Sequence, residues 1–239
     1  EEKFNVVILD VSDFKLINGT YGTKKGNEVL VYLSNAFRYY VKNGLLTRYE
    51  GDQLLGLFHS KVKMDVERIN RNINKIAEEA PIPNIRIKVG IYEDVDTNLS
   101  IPVICDRALM AEKSISKDFK TNVAFYTDEM NQKQLAQRQM ENDFKSAIAN
   151  REFKVYYQPK YDVNTENIVG AEALVRWQKP DGTLISPGAF IPLFESDGLV
   201  VHLDEYVFEN VCQFQKERME NKLPMVPISV NLSRASIHF

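Results

Sequence analysis

Glu172 and Arg176 lie four residues apart in Ala171-Glu172-Ala173-Leu174-Val175-Arg176-Trp177, directly after the apolar run Ile168-Val169-Gly170. Alternate side chains of a strand share a face, so Glu172, Leu174 and Arg176 should point the same way. A carboxylate and a guanidinium at the end of a core strand are costly unless paired or metal-bound. They are therefore either a surface ion pair within the strand, or a site in which Glu172 holds a divalent cation and Arg176 a phosphate. A second carboxylate, Asp10, closes the apolar run from Phe4 to Leu9. That run reads as a buried strand, and in open α/β sheets ligands gather at its carboxyl end. Asp52 sits in the turn Glu50-Gly51-Asp52 between two further apolar runs, which is a hairpin signal.

The elements that must position these residues follow from periodicity. After the strand ending at Asp10 comes a loop or short helix over 11–22. Residues 24–41 have apolar positions at helical spacing: Val29, Leu30, Leu33, Phe37 and Tyr40. The hairpin spans 45–58. A second amphipathic helix covers 66–80 and is stopped by Pro81 and Pro83. A strand is expected over 85–92, a third helix over 101–116 and a strand over 123–126. This order predicts an α/β sandwich with a mixed sheet, ferredoxin-like or nucleotidyl-cyclase-like. A continuous helix over 128–150, with Thr127 as its N-cap, joins the two halves as a semi-rigid strut. An amphipathic helix over 199–220 follows, carrying Leu203, Val207, Phe208, Val211 and Phe214. Trp177, Phe190 and Phe194 read as core.

The 30 basic and 33 acidic residues leave a net charge of −3. With both signs interspersed, no basic stripe for a nucleic-acid polymer is present. Cys105 and Cys212 lie far apart in helix-like apolar contexts and read as buried, inert thiols, which fits a reducing cytoplasm. No apolar run is long enough for a membrane span. His59, His202 and His238 are isolated, with His59 expected at the surface.

Several separated motifs carry a family resemblance. Tyr157-Gln158-Pro159-Lys160-Tyr161, the Glu172 segment, Pro187-Gly188-Ala189-Phe190-Ile191-Pro192, Glu195-Ser196-Asp197-Gly198-Leu199 and Ser229-Val230-Asn231-Leu232-Ser233 occur in this order. The series resembles the EAL family of cyclic di-GMP phosphodiesterases. The resemblance implies a TIM-like barrel with a metal site at its C-terminal mouth. Glu172 and Asn231 would be ligands for Mg²⁺ or Mn²⁺, and Gln158 and Arg176 would contact cyclic di-GMP, with each polar group expected at a strand end. A barrel takes about 250 residues, so the stretch after residue 150 is expected to be only its N-terminal portion.

The first half resembles the GGDEF family of diguanylate cyclases. The resemblance is carried by residues 10–18, Tyr21-Gly22, Gly26-Asn27, residues 48–54 and Asp106-Arg107-Ala108-Leu109. It implies that Asp10 and Asp52 hold metal, Lys113 touches phosphate and Asn18 touches guanine. The departures are substantial. The turn reads Glu50-Gly51-Asp52-Gln53-Leu54, so Glu50 brings bulk and negative charge where the backbone must approach a triphosphate. Gln53 replaces a carboxylate, and a neutral amide is a poor base or metal ligand. Asn27 stands where the family usually has a guanine-reading Asp. Gly19 and Thr23 depart as well. The inhibitory product-binding motif is replaced by Val41-Lys42-Asn43-Gly44.

The resulting expectation is a degenerate cyclase domain over 1–127 that lacks its opening segment, a connecting helix over 128–150 and a truncated EAL region over 151–239. The parent protein is expected to hydrolyse cyclic di-GMP, while the first domain makes none and either binds GTP weakly or serves structure and regulation. The alternative is that both domains are inactive and act as a cyclic di-GMP or GTP receptor. A homodimer and a cytoplasmic location fit this picture, with any membrane anchor lying outside the chain.

Overall fold

The computed structural model describes residues 3–40, 44–115 and 121–237. The chain divides into two compact units, residues 1–133 and 134–239.

In the first unit, β1 (Phe4–Val11) leads into α1 (Phe14–Tyr21) and α2 (Thr23–Tyr40). The hairpin β2 (Gly44–Arg48) and β3 (Leu54–His59) follows, then α3 (Val66–Glu78), β4 (Ile87–Tyr92), α4 (Ile101–Lys113) and β5 (Val123–Phe125). The five strands form one sheet in the order β2-β3-β1-β4-β5. All neighbours are antiparallel except β4 and β5, so the sheet is mixed, as the element order predicts.

Alternation along β1 decides which side chain goes where. Val7, Leu9 and Val11 pack with Val29, Leu33, Ile73 and Ile76 from α2 and α3. Val6 and Ile8 pack with Tyr92 and Ala108, toward α4. Asp10 has the parity of Val6 and Ile8 and belongs to the α4 face. At Gly90 the helix lies directly on the sheet. A Cβ there would stand 2.1 Å from the Ala108 carbonyl and 2.4 Å from the Glu112 nitrogen. Helix α3 is capped by Asp65, whose carboxylate accepts from the Arg68 amide at 2.7 Å. It ends at Glu78, earlier than the sequence pattern predicts, because Glu79 already leaves helical geometry ahead of Pro81.

Helix α5 (Asp128–Ala149) starts in the first unit and ends in the second. The second unit contains β6 (Phe153–Tyr161), β7 (Ile168–Gln178), β8 (Leu184–Ile185), α6 (Pro187–Ser196), α7 (Val200–Glu220), β9 (Ile228–Val230) and α8 (Arg234–Ile237). β6 pairs antiparallel along β7; β8 and β9 take the other edge of β7, antiparallel and parallel respectively. Among the described residues the sheet does not close into a barrel. Phe153 and Trp177, directly opposed, sit with Phe144, Phe190, Phe194 and Leu203 in one buried aromatic core. Rings of Phe153 and Trp177 lie 4.9 Å apart, and the Trp177 Nε1 donates to Glu152 at 2.9 Å.

Several sequence expectations are corrected. Cys105 is buried, but Cys212 is exposed, because it falls on the solvent side of α7 one residue after buried Val211. Phe208 is likewise exposed beside buried Val207. His59 is half-buried with its ring edge-on to Phe4, and His202 faces Glu205 at 3.5 Å. Residues 41–43, read as a lost product-binding motif, and His238 lie outside the described residues. No helix among the described residues is long and apolar enough to cross a membrane.

Candidate functional site

In the second unit, strand parity builds a polar sheet face. Phe153, Val155, Ala173, Val175 and Trp177 point to the core side. The opposed pairs Lys154–Arg176, Tyr156–Leu174 and Gln158–Glu172 therefore lie on the other face. β9 adds Ser229 beside Glu172 in parallel register. Just past the end of β9, Asn231 reaches back and its Nδ2 donates to Glu172 Oε1 at 2.9 Å. Three of the four expected residues, Gln158, Glu172 and Asn231, thus meet across three neighbouring strands. Arg176 is two repeats of the pleat further along the same face, beyond Leu174. Its Nη1 donates to the Val175 carbonyl at 2.8 Å, and the ion pairs of the described residues include none between Arg176 and Glu172. The intrastrand ion pair is therefore not formed. A cavity of about 270 Å³ opens beside Arg176 and Asn231 and is also lined by Glu195 and Asp204. Gln158 and Glu172 lie outside its lining.

The expected strand-end placement is corrected for two of these residues. Gln158 and Glu172 are interior to long strands, which run on to Tyr161 and Gln178; only Asn231 follows a strand end. The apolar run 168–170 is the start of β7 and not its whole length.

In the first unit, Asp10 lies near the end of β1 and Asp52 in the β2–β3 turn, where Gly51 takes φ 54°. The turn is closed by Gln53 N donating to Glu50 O at 2.8 Å and by Arg48 Nε donating to Gly51 O at 2.8 Å. Gln53 Nε2 donates to Asp10 Oδ1 at 3.3 Å. Burial raises the Asp52 carboxyl above the usual carboxylate range; Asp10 adds to this, while Arg48 and Lys15 oppose it. Glu50 points to solvent. Asp10 opens onto a cavity of about 530 Å³ shared with Ser12, Asp13, Tyr21, Arg86 and Lys88. Asn18, Asn27, Asp52 and Lys113 do not line it. Asn18 Oδ1 is buried against Gly26 without a hydrogen-bond partner. Asn27 faces a shallow hollow with Lys24, Glu28 and Tyr32, and Lys113 is exposed at the end of α4.

Two residues went unnoticed in the sequence. Lys88 is directly opposed to Asp10 in the β1–β4 register. Its Nζ lies 3.5 Å from Oε1 of Glu112, whose side chain is 5% exposed. Burial raises the Glu112 carboxyl, and Asp10 adds to the shift while Lys88 opposes it. The signal available was the alternation Ile85-Arg86-Ile87-Lys88-Val89, which puts Lys88 on the face of β4 away from α2 and α3.

Comparison with known proteins adds the family. Residues 1–117 match the model of the diguanylate cyclase GGDEF domain, and residues 141–238 match that of the EAL domain. The chain is a GGDEF–EAL tandem. It is 28% identical over 243 residues to the bifunctional diguanylate cyclase/cyclic di-GMP phosphodiesterase MucR of Pseudomonas aeruginosa, covering 98% of this chain and 35% of that protein. It is 28% identical over 237 residues to the cyclic di-GMP phosphodiesterase PdeR of Escherichia coli, covering 97% and 36%. The chain thus spans about a third of the length of these relatives. The GGDEF–EAL part of Vibrio cholerae LapD, bound to c-di-GMP, shares the fold with a TM-score of 0.53 at 18% identity, over 98% of this chain and 55% of that one.

EAL domains use divalent metals, and the EAL region here offers suitable donors. A carboxylate in β7 and a carboxamide just past β9 lie within hydrogen-bond distance and carry the hard oxygen donors that Mg²⁺ and Mn²⁺ prefer. They supply part of a shell, since no group of three His, Cys, Asp or Glu gathers among the described residues. In the GGDEF region the residues fit a metal poorly. The Lys88 ammonium stands opposite Asp10, and the residue after Asp52 is the neutral amide Gln53, a poor ligand.

Proposed function

We propose that the protein carrying this chain hydrolyses cyclic di-GMP at its EAL region, and that its GGDEF region makes none. The observation behind the first part is the Gln158–Glu172–Asn231 cluster on one sheet face, with Arg176 on that face as well. Glu172 and Asn231 hold the ion in this reading. When bound there, such an ion would supply Lewis-acid polarisation of the phosphodiester and activation of a water. Arg176 gives up its bond to the Val175 carbonyl and takes the substrate phosphate through parallel N–H donors. Gln158, opposed to Glu172, donates from its amide to the same ligand.

The second part is supported by the turn. Gln53 is a neutral amide and cannot act as a base. Glu50 adds negative charge where a triphosphate would approach. The GGDEF region then serves structure or regulation, or holds GTP weakly.

The test is turnover of cyclic di-GMP by the whole protein with Mg²⁺ or Mn²⁺, followed as linear dinucleotide. Binding without turnover in a folded whole protein would instead make it a receptor.

A further inference from the structure

Lys88 and Asp10 are directly opposed on antiparallel strands, on the face covered by α4. Such pairs place their Cβ atoms about 5 Å apart. Glu112 of α4 completes the group, 3.5 Å from the Lys88 ammonium and almost wholly buried. Gly90, two residues along β4, lets the helix come close enough for that contact. The three groups carry one positive and two negative charges, and Gln53 donates to what remains of Asp10.

We propose that the Lys88 ammonium, held in place by Glu112, is a resident cation that takes the position of a divalent ion beside Asp10 and keeps Mg²⁺ and Mn²⁺ out of the GGDEF cavity. A fixed ammonium on the strand position opposite Asp10 raises the cost of placing a doubly charged ion there, and partial burial weakens the screening of that repulsion. The pair is also locked. Removing Lys88 alone would leave Glu112 as an uncompensated buried charge, and removing Glu112 alone would strand Lys88. Lys88 is therefore the specificity-determining residue of this cavity, and Glu112 its positioning residue.

The experiment is Mn²⁺ titration of the ¹⁵N-labelled chain, read as paramagnetic broadening of amide signals from residues 8–13. In the native chain these signals keep their intensity at millimolar Mn²⁺. Selective broadening of β1 in the native chain would overturn the proposal. In Lys88→Met/Glu112→Gln the same signals broaden, with Mn²⁺ binding about tenfold tighter or more, and adding Asp10→Asn abolishes the effect. A folded double variant whose β1 signals stay sharp would overturn it as well. Lys88→Arg keeps the charge and stays free of broadening. Should the double variant not fold, Lys88→Gln/Glu112→Gln, which keeps a neutral hydrogen-bonding pair, is read in the same way, broadening for the proposal and sharp signals against it.

Discussion

Asn231 Nδ2 donates to Glu172 Oε1 over 2.9 Å, across two strands that run parallel. The two residues are 59 positions apart in sequence, and only the pairing of β7 with β9 brings them together. Each is a modest feature alone: a half-buried carboxylate in a strand, and an amide just past another. Together they bring a carboxylate and a carboxamide into contact on one sheet face. With this arrangement, Asn231→Ala should raise the Mg²⁺ needed for cyclic di-GMP hydrolysis about tenfold or more, while Asn231→Asp keeps an oxygen donor and loses less. Activity measured against Mg²⁺ concentration in the whole protein checks this.

The GGDEF region should form no cyclic dinucleotide from GTP. Incubation with GTP and Mg²⁺, followed by chromatography, should leave the nucleotide unchanged. Gln53 is bonded to Asp10 and has no carboxylate to offer, and Lys88 is opposed to Asp10. Release of pyrophosphate with a cyclic product would contradict it.

Gly90→Ala should destabilise the first unit. The added methyl meets backbone atoms of α4, which cannot swing aside as a flexible side chain can. Overpacking of this kind costs about 1–3 kcal/mol. Urea denaturation followed by circular dichroism should show the loss as a lower midpoint.

Acid should weaken the second unit through Asp143. Its hydrogen bond from Lys179, at 2.6 Å, holds the carboxyl below the usual carboxylate range. Lys179 also lies over the Trp177 ring at 4.3 Å. A depressed folded-state value means that the contribution is present above the unfolded value of about 3.9 and is lost as pH falls through the lower folded value. Both side chains are partly exposed, so the contribution is about 1 kcal/mol or less. Asp143→Asn should flatten this part of the stability profile below about pH 4, read from Trp177 fluorescence during unfolding.

Much of this was legible in the sequence, for identifiable reasons. The alternation in β1 and β7 assigned faces, so Glu172, Leu174 and Arg176 were expected on one side, as they are. Helical spacing located α2, α3 and α7, because buried Val29, Leu33, Ile73 and Leu203 recur at that period. Lengths were harder. Gln158 and Glu172 looked like strand ends because polar residues follow short apolar runs, yet backbone pairing between β6 and β7 carries both strands past them. Partnerships between distant residues were not legible. Nothing local to Lys88 announces Glu112, which comes within reach only because Gly90 admits α4. Exposure on α7 turns on single positions: Cys212 and Phe208 each follow a buried valine by one residue and so turn away from the core.

The most direct test of the central claim is cyclic di-GMP hydrolysis by the whole protein with Mg²⁺ or Mn²⁺, beside Glu172→Ala. The account predicts linear dinucleotide from the native protein and none above background from the variant, with the variant folded. Unchanged turnover in the variant, or no turnover by a folded native protein that still binds cyclic di-GMP, would contradict it.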